Sequence, residues 1–169
     1  PGHLLGAHMR GCLKAAAMLA AAAVMLGEAL AQNSLARGGM TIAEVAAIFE
    51  AHSFSATIKG EYEIAAEAWG YEFVVDGANC SGTERCTEFL FSVGLDLPDG
   101  FPLEQINVWN ARELAGRAYL DEDGDPFLDH IVSVQSRRDT GAFYGGLILW
   151  RNALEDFDAF ISEIVPPGA

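Results

Sequence analysis

Asp121, Asp123 and Asp125 stand at alternate positions and form the densest candidate for chemistry in the chain. Such spacing opens a calcium loop, whose first oxygen ligands stand at positions 1, 3 and 5, and paired carboxylates can also serve as acid and base. A calcium loop of the EF-hand type further needs glycine at position 6 and a bidentate glutamate at position 12. Counted from Asp121, those places hold Pro126 and Val132, and the glycine arrives at position 4 as Gly124. A glycine there suits a reversal between two strands, so the segment reads as an acidic hairpin turn. Weak, opportunistic cation binding is the alternative use of it. A catalytic Asp–Asp pair would need a cleft, which a hairpin tip rarely supplies.

Other reactive side chains depend on where the mature chain begins. From Met9 the residues follow an export signal: basic Arg10 and Lys14, an apolar alanine-rich run over 13–26, then Ala29-Leu30-Ala31 as a small-x-small cleavage site. Residues 1–31 are therefore expected to be upstream residues and a cleavable leader, with export to the periplasm of a Gram-negative cell after cleavage near Ala31. The run falls short of the roughly 20 apolar residues of a membrane span, so no integral membrane segment is expected after processing. Cys12 precedes the run instead of closing it, which excludes a lipoprotein anchor. A buried N-terminal helix is the alternative.

Cleavage would leave 138 of the 169 residues, the size of one domain, read as a linker over 32–40 and a folded domain over 41–165. Removing Arg10, Lys14 and Glu28 from the chain's 10 basic and 24 acidic residues leaves 8 against 23, a net of −15. That charge repels phosphate backbones and anionic lipid, so no nucleic-acid partner is expected. All 3 Trp and all 10 Phe lie beyond the leader, enough to build a packed core.

Two cysteines follow the leader, Cys80 and Cys86. In an exported protein a close pair reads as a structural disulfide, which for so small a loop contributes about 2 kcal/mol. The alternatives are a redox-active pair, usually spaced C-x-x-C, and half a zinc site, for which no second ligand pair is present. His52 and His130 fall in no metal or triad spacing. Gly-x-Ser-x-Gly and glycine-rich phosphate loops are absent, so no catalytic residue, cofactor or metal is assigned.

The elements that would position these groups follow from periodicity and caps. Thr41-Ile42-Ala43-Glu44 is a capping box opening a helix that ends near His52. Residues 55–59 and 64–69 are weak strand candidates, and 71–75 is a clearer strand. Asp76-Gly77-Ala78-Asn79 has turn chemistry, and 87–95 returns as a strand with Phe89, Phe91 and Val93 alternating. The cysteines then staple the connection between antiparallel neighbours. A helix over 103–114, strands over 117–120 and 127–134, and a helix from Thr140 to about Val165 complete the chain, with Gly145-Gly146 weakening the last helix's first turns. The expected class is α+β, an antiparallel sheet with helices packed on it, in the order α-β-β-β-α-β-β-α.

On the second helix, Trp109 is expected in the core with its indole N–H on a buried acceptor. Asn107 and Asn110 are poor helix formers that either bond neighbouring backbone or form a polar floor for a bound peptide.

Several of these residues together resemble the YbjN domain family, bacterial proteins described as sensory transduction regulators. They are Ile106-Asn107-x-Trp109-Asn110, the run Arg117-Ala118-Tyr119-Leu120-Asp121-x-Asp123-Gly124-Asp125-Pro126, and Cys80 and Cys86 followed by Phe89-x-Phe91. Trp150 and Phe157-x-x-Phe160 add to the resemblance, which runs over about residues 41–164. It implies a fold like that of type III secretion chaperones, commonly dimers that bind an extended partner segment. By that implication the chain is a homodimeric binding module for a protein or peptide, with Asn107, Trp109, Asn110, Arg117 and Tyr119 as its candidate partner-binding or structural motif. The leader sets it apart from members that lack one.

The expected function is thus an exported, non-enzymatic binding or regulatory module that recognises a polypeptide partner. The alternatives are an exported small hydrolase using His130, Asp129 and nearby carboxylates, or an envelope protein that binds divalent ions weakly at the 121–125 turn.

Overall fold

A computed structural model of the chain describes residues 38–82, 84–135 and 140–165. The expected leader, its cleavage site and most of the expected linker lie outside these residues.

Helix α1, Ile42–Ala51, begins at the capping box: the Glu44 amide donates to Thr41 Oγ1 at 3.2 Å and the Thr41 amide to Glu44 Oε2 at 3.0 Å. These bonds satisfy two amides that a helix start leaves without partners. Strands β1 (Ser55–Ile58), β2 (Glu63–Ala68), β3 (Tyr71–Ser81) and β4 (Arg85–Gly94) follow, then α2 (Leu103–Arg112), β5 (Arg117–Leu120), β6 (Pro126–Ser133) and α3 (Thr140–Ile164). Both weak strand candidates form strands, so four strands precede the second helix where three were expected. Alanine is a poor strand former, yet alternation in β2 still buries Ile64, Ala66 and Ala68 on one side.

The six strands form one sheet in the order β1-β2-β3-β4-β6-β5, with every neighbour antiparallel. The turn expected at 76–79 is absent there, because β3 continues through it to Ser81 and the reversal comes after. Gly77 serves close packing in place of a turn: a Cβ on it would stand 2.6 Å from Cys86 Sγ. Cys80 and Cys86 are direct cross-strand partners and are joined by a disulfide.

One face of the sheet carries α1 and α3. Phe73, Val75, Phe89 and Phe91 project from it into the core, where Phe49 of α1 and Phe143 and Trp150 of α3 meet them. Ring centroids there lie 5.6 to 6.5 Å apart, a spacing that gives aromatic pairs an attraction beyond their buried area. The helix α2 sits at the end of the sheet, with Trp109 packed edge-on against Phe157 at 5.0 Å. Trp109 is 2 % exposed and its indole nitrogen has no hydrogen-bond partner among the described residues, so the expected buried acceptor is not found there. The rings of Phe157 and Phe160 on α3 pack against the indole at 5.0 and 5.5 Å. No described helix is long and apolar enough to cross a membrane.

Candidate functional site: the open face of the sheet

Side chains alternate along a strand, so each strand that feeds the core also presents residues to the opposite face. No described helix covers that face. Registers fix its layout. One row crosses all six strands, pairing Thr57 with Ala65, Ala65 with Val74, Val74 with Ser92, Ser92 with Asp129 and Asp129 with Arg117. From β1 to β4 this row holds nothing larger than valine, which makes it the floor of a trough running across the strands.

Two further rows flank it. On one side Glu63 pairs with Asp76, Asp76 with Leu90 and Leu90 with Ile131. On the other, Glu67 pairs with Glu72 in β2 and β3, and Gly94 with Phe127 and Phe127 with Tyr119 towards the far edge. A Cβ on Gly94 would stand 2.5 Å from the Phe127 ring, so the missing side chain is what lets that ring lie over β4. Tyr119 stacks on Phe127 at 5.4 Å. A groove of about 440 Å³ follows Thr57, Ala65, Val74 and Ser92 to Phe127. A second of about 450 Å³ lies beside Leu90, Leu114, Arg117 and Ile131.

Asp129 sits on β6, towards the β5 edge of the face, and is the buried charged residue of the described chain, 5 % exposed. A buried carboxylate is costly unless partnered, and three donors converge on this one. Ser92 Oγ donates to Oδ1 at 2.5 Å, Arg117 Nη2 to Oδ2 at 2.7 Å and Tyr119 Oη to Oδ1 at 3.4 Å. The Arg117 guanidinium also lies 5.3 Å from the Tyr119 ring centroid. Burial, and after it the Asp129 charge, raises the Tyr119 phenol above its ordinary value. The cluster is thus a fixed polar centre whose arginine reaches the surface.

Arg117 and Tyr119 of the sequence motif therefore meet on this face, while Asn107, Trp109 and Asn110 stand on α2, at the edge. The Asn110 amide exchanges two bonds of 2.9 Å with the backbone N–H and C=O of Ala118, capping the outer edge of β5. An edge strand closed in this way is unavailable for pairing with another chain. Asn107 is exposed. Ser92, Val74 and Phe127 were not among the expected site residues; alternation places each on a face, but only register brings them together.

The acidic turn is spent on the local backbone. Asp121 Oδ1 accepts from the amides of Asp123 at 3.0 Å and Asp125 at 2.9 Å, and Asp125 Oδ1 accepts from Leu97 at 2.9 Å. Gly124 takes φ +86° at the reversal, and its carbonyl accepts from Phe101 at 2.9 Å. Among the described residues no group of three or more His, Cys, Asp or Glu side chains is arranged to hold a metal ion. The hydrolase alternative needs His130 beside Asp129, and the sheet places them on opposite faces. His130 pairs with Phe91 on the core side and stacks over Trp150 at 6.4 Å, where burial lowers its pKa.

Comparison with known proteins adds a family. The model of the YbjN family, described as "Putative bacterial sensory transduction regulator", matches residues 41–163. No curated protein and no solved structure matches the chain.

Proposed function

We propose, because the chain belongs to the YbjN family and no described helix covers one face of its sheet, that it is an exported regulatory module holding a polypeptide partner on that face. The observation that carries the proposal is the trough that ends at Asp129: a floor of small residues bordered by Leu90, Phe127 and Ile131, with Ile131 58 % exposed. Apolar surface around a few fixed polar groups is the usual composition of a recognition surface. The family's description as regulators fits a binding role. Export rests on the pattern of residues 9–31, and pairing of two copies and a secretion-chaperone-like fold rest on the resemblance; all three are part of the proposal.

A photo-crosslinking residue placed at Val74 or Ile131 in cells is expected to trap a discrete protein adduct, and one at Glu163, an exposed residue of α3 beside α2, is not. Equal labelling from all three positions, or none from any, sinks the proposal. Sequencing the N-terminus of the periplasmic form tests export, and Gln32 is the expected first residue. Light scattering tests the pairing of copies.

A further inference from the structure

The open face is apolar at one end and acidic at the other. Glu63 stands opposite Asp76, and Glu67 opposite Glu72, so two like-charged pairs bracket Ala65 and Val74. Like charges placed directly opposite destabilise a sheet. None of the four carboxylates is ion-paired or hydrogen-bonded among the described residues, whereas Arg85, Arg117 and Arg151 each have a carboxylate partner. Burial and the neighbouring Glu63 hold the Asp76 carboxyl above its ordinary pKa, a sign that the repulsion is felt.

We propose that the partner segment on this face is a cationic amphipathic helix of another polypeptide, an inference that rests on reading the face as the partner site. Dimensions and hydrogen bonding select a helix. A chain laid on the face of a sheet, away from its edges, cannot join the ladder, and a helix is the form that satisfies its backbone groups internally while an apolar side is buried. Along β2 and β3 the carboxylate rows stand four residues apart, or about 14 Å, a width that admits a helix of about 10–12 Å diameter. The small-residue floor from β1 to β4 crosses three strand spacings, about 14 Å, which corresponds to about 10 helical residues. An apolar stripe would rest on Ala65, Val74 and Phe127, and lysines or arginines on its two flanks would neutralise the facing carboxylates.

Charge also selects against a second copy of the chain. A two-fold contact uses the same patch on both partners, and here it would set these carboxylates against one another in a protein whose net charge is −14.

The test uses three synthetic peptides that share one apolar helical stripe and carry lysine, glutamine or glutamate on its flanks. Binding to the purified protein is read by fluorescence anisotropy at low and high salt. The lysine peptide is expected to bind at least about tenfold tighter than the glutamine peptide, with an advantage that shrinks as salt screens it. The double variant Glu67→Gln, Glu72→Gln is expected to weaken the lysine peptide about tenfold. The double variant Asp156→Asn, Glu163→Gln, which removes the same charge from exposed positions of α3 beside α2, is expected to leave it unchanged. Equal losses in both variants would mean attraction to net charge alone and overturn the inference. A glutamine peptide that binds as tightly as the lysine peptide also overturns it, but leaves the face standing as a partner site. Binding by none of the three overturns it as well. Self-association abolished by Val74→Asp would then identify the occupant as a second copy, and loss of the Val74 and Ile131 crosslinks would remove the partner site itself.

Discussion

Asp129 and His130 are consecutive in β6, yet the sheet separates them: Asp129 bonds Ser92 and Arg117 on the open face, while His130 stacks on Trp150 beneath the helices. Alternation along a strand makes this unavoidable for neighbours. Two residues that look like an acid–base pair in sequence therefore serve different surfaces.

His130 gives a pH dependence with a definite sign. Its folded pKa lies below the ordinary 6.5 because burial disfavours the imidazolium. Below about pH 6.5 the unfolded chain takes up a proton that the folded chain refuses, so stability is lost as pH falls towards the folded pKa. Urea midpoints measured from pH 7.5 down to about 5.5 should fall more steeply for the parent than for His130→Gln. Parallel curves for the two proteins would show that His130 is not the cause.

Arg117 is expected to stabilise the open face although it is mostly in solvent. Its side chain is 73 % exposed and the carboxylate it serves only 6 %. Arg117→Ala leaves Asp129 with Ser92 and Tyr119, so the cost should be about 1–2 kcal/mol, below that of stranding a fully buried charge. Arg117→Lys should recover part of it. An unchanged denaturation midpoint for Arg117→Ala would show that water replaces the guanidinium freely.

The two asparagines of the N-x-W-N motif should behave differently. Asn110→Ala strips both bonds from Ala118 and should cost about 1–2 kcal/mol, with faster hydrogen exchange at the Ala118 amide. Asn107 is exposed, and Asn107→Ala should stay within about 0.5 kcal/mol. Equal costs would mean that the motif acts as one unit.

What could be read from the sequence was whatever the chain decides locally. The Thr41–Glu44 capping box, the apolar positions of α3 spaced by three and four (Phe143, Leu147, Trp150, Leu154, Phe157 and Ile161) and the glycine at the acidic reversal each depend on residues a few positions apart, and each is in place. The extension of β3 was hidden because Asp76, Gly77 and Asn79 are turn formers in isolation; pairing with β4 and the Cys80–Cys86 bond override them. The trough was hidden for a stronger reason. The row it follows joins Ala65 to Arg117 through four registers, and a one-residue slip in any strand would send that strand's residues to the other face.

Gly145 and Gly146 separate what propensity alone treats as equal. Both lie in α3, where glycine costs about 1 kcal/mol relative to alanine. A Cβ on Gly145 meets nothing within 4 Å, so Gly145→Ala should stabilise the protein by up to about 1 kcal/mol. A Cβ on Gly146 would stand 2.6 Å from Val132 Cγ1, so the helix approaches β6 only because the side chain is missing. Gly146→Ala must push helix and strand apart, and overpacking of this kind costs about 1–3 kcal/mol, enough to reverse the gain in propensity. Thermal denaturation of the two variants should therefore move in opposite directions. Val132→Ala in the Gly146→Ala background should restore part of the loss, a coupling that a double-mutant cycle reads directly. Additive effects in that cycle would locate the cost of Gly146→Ala outside the contact with Val132.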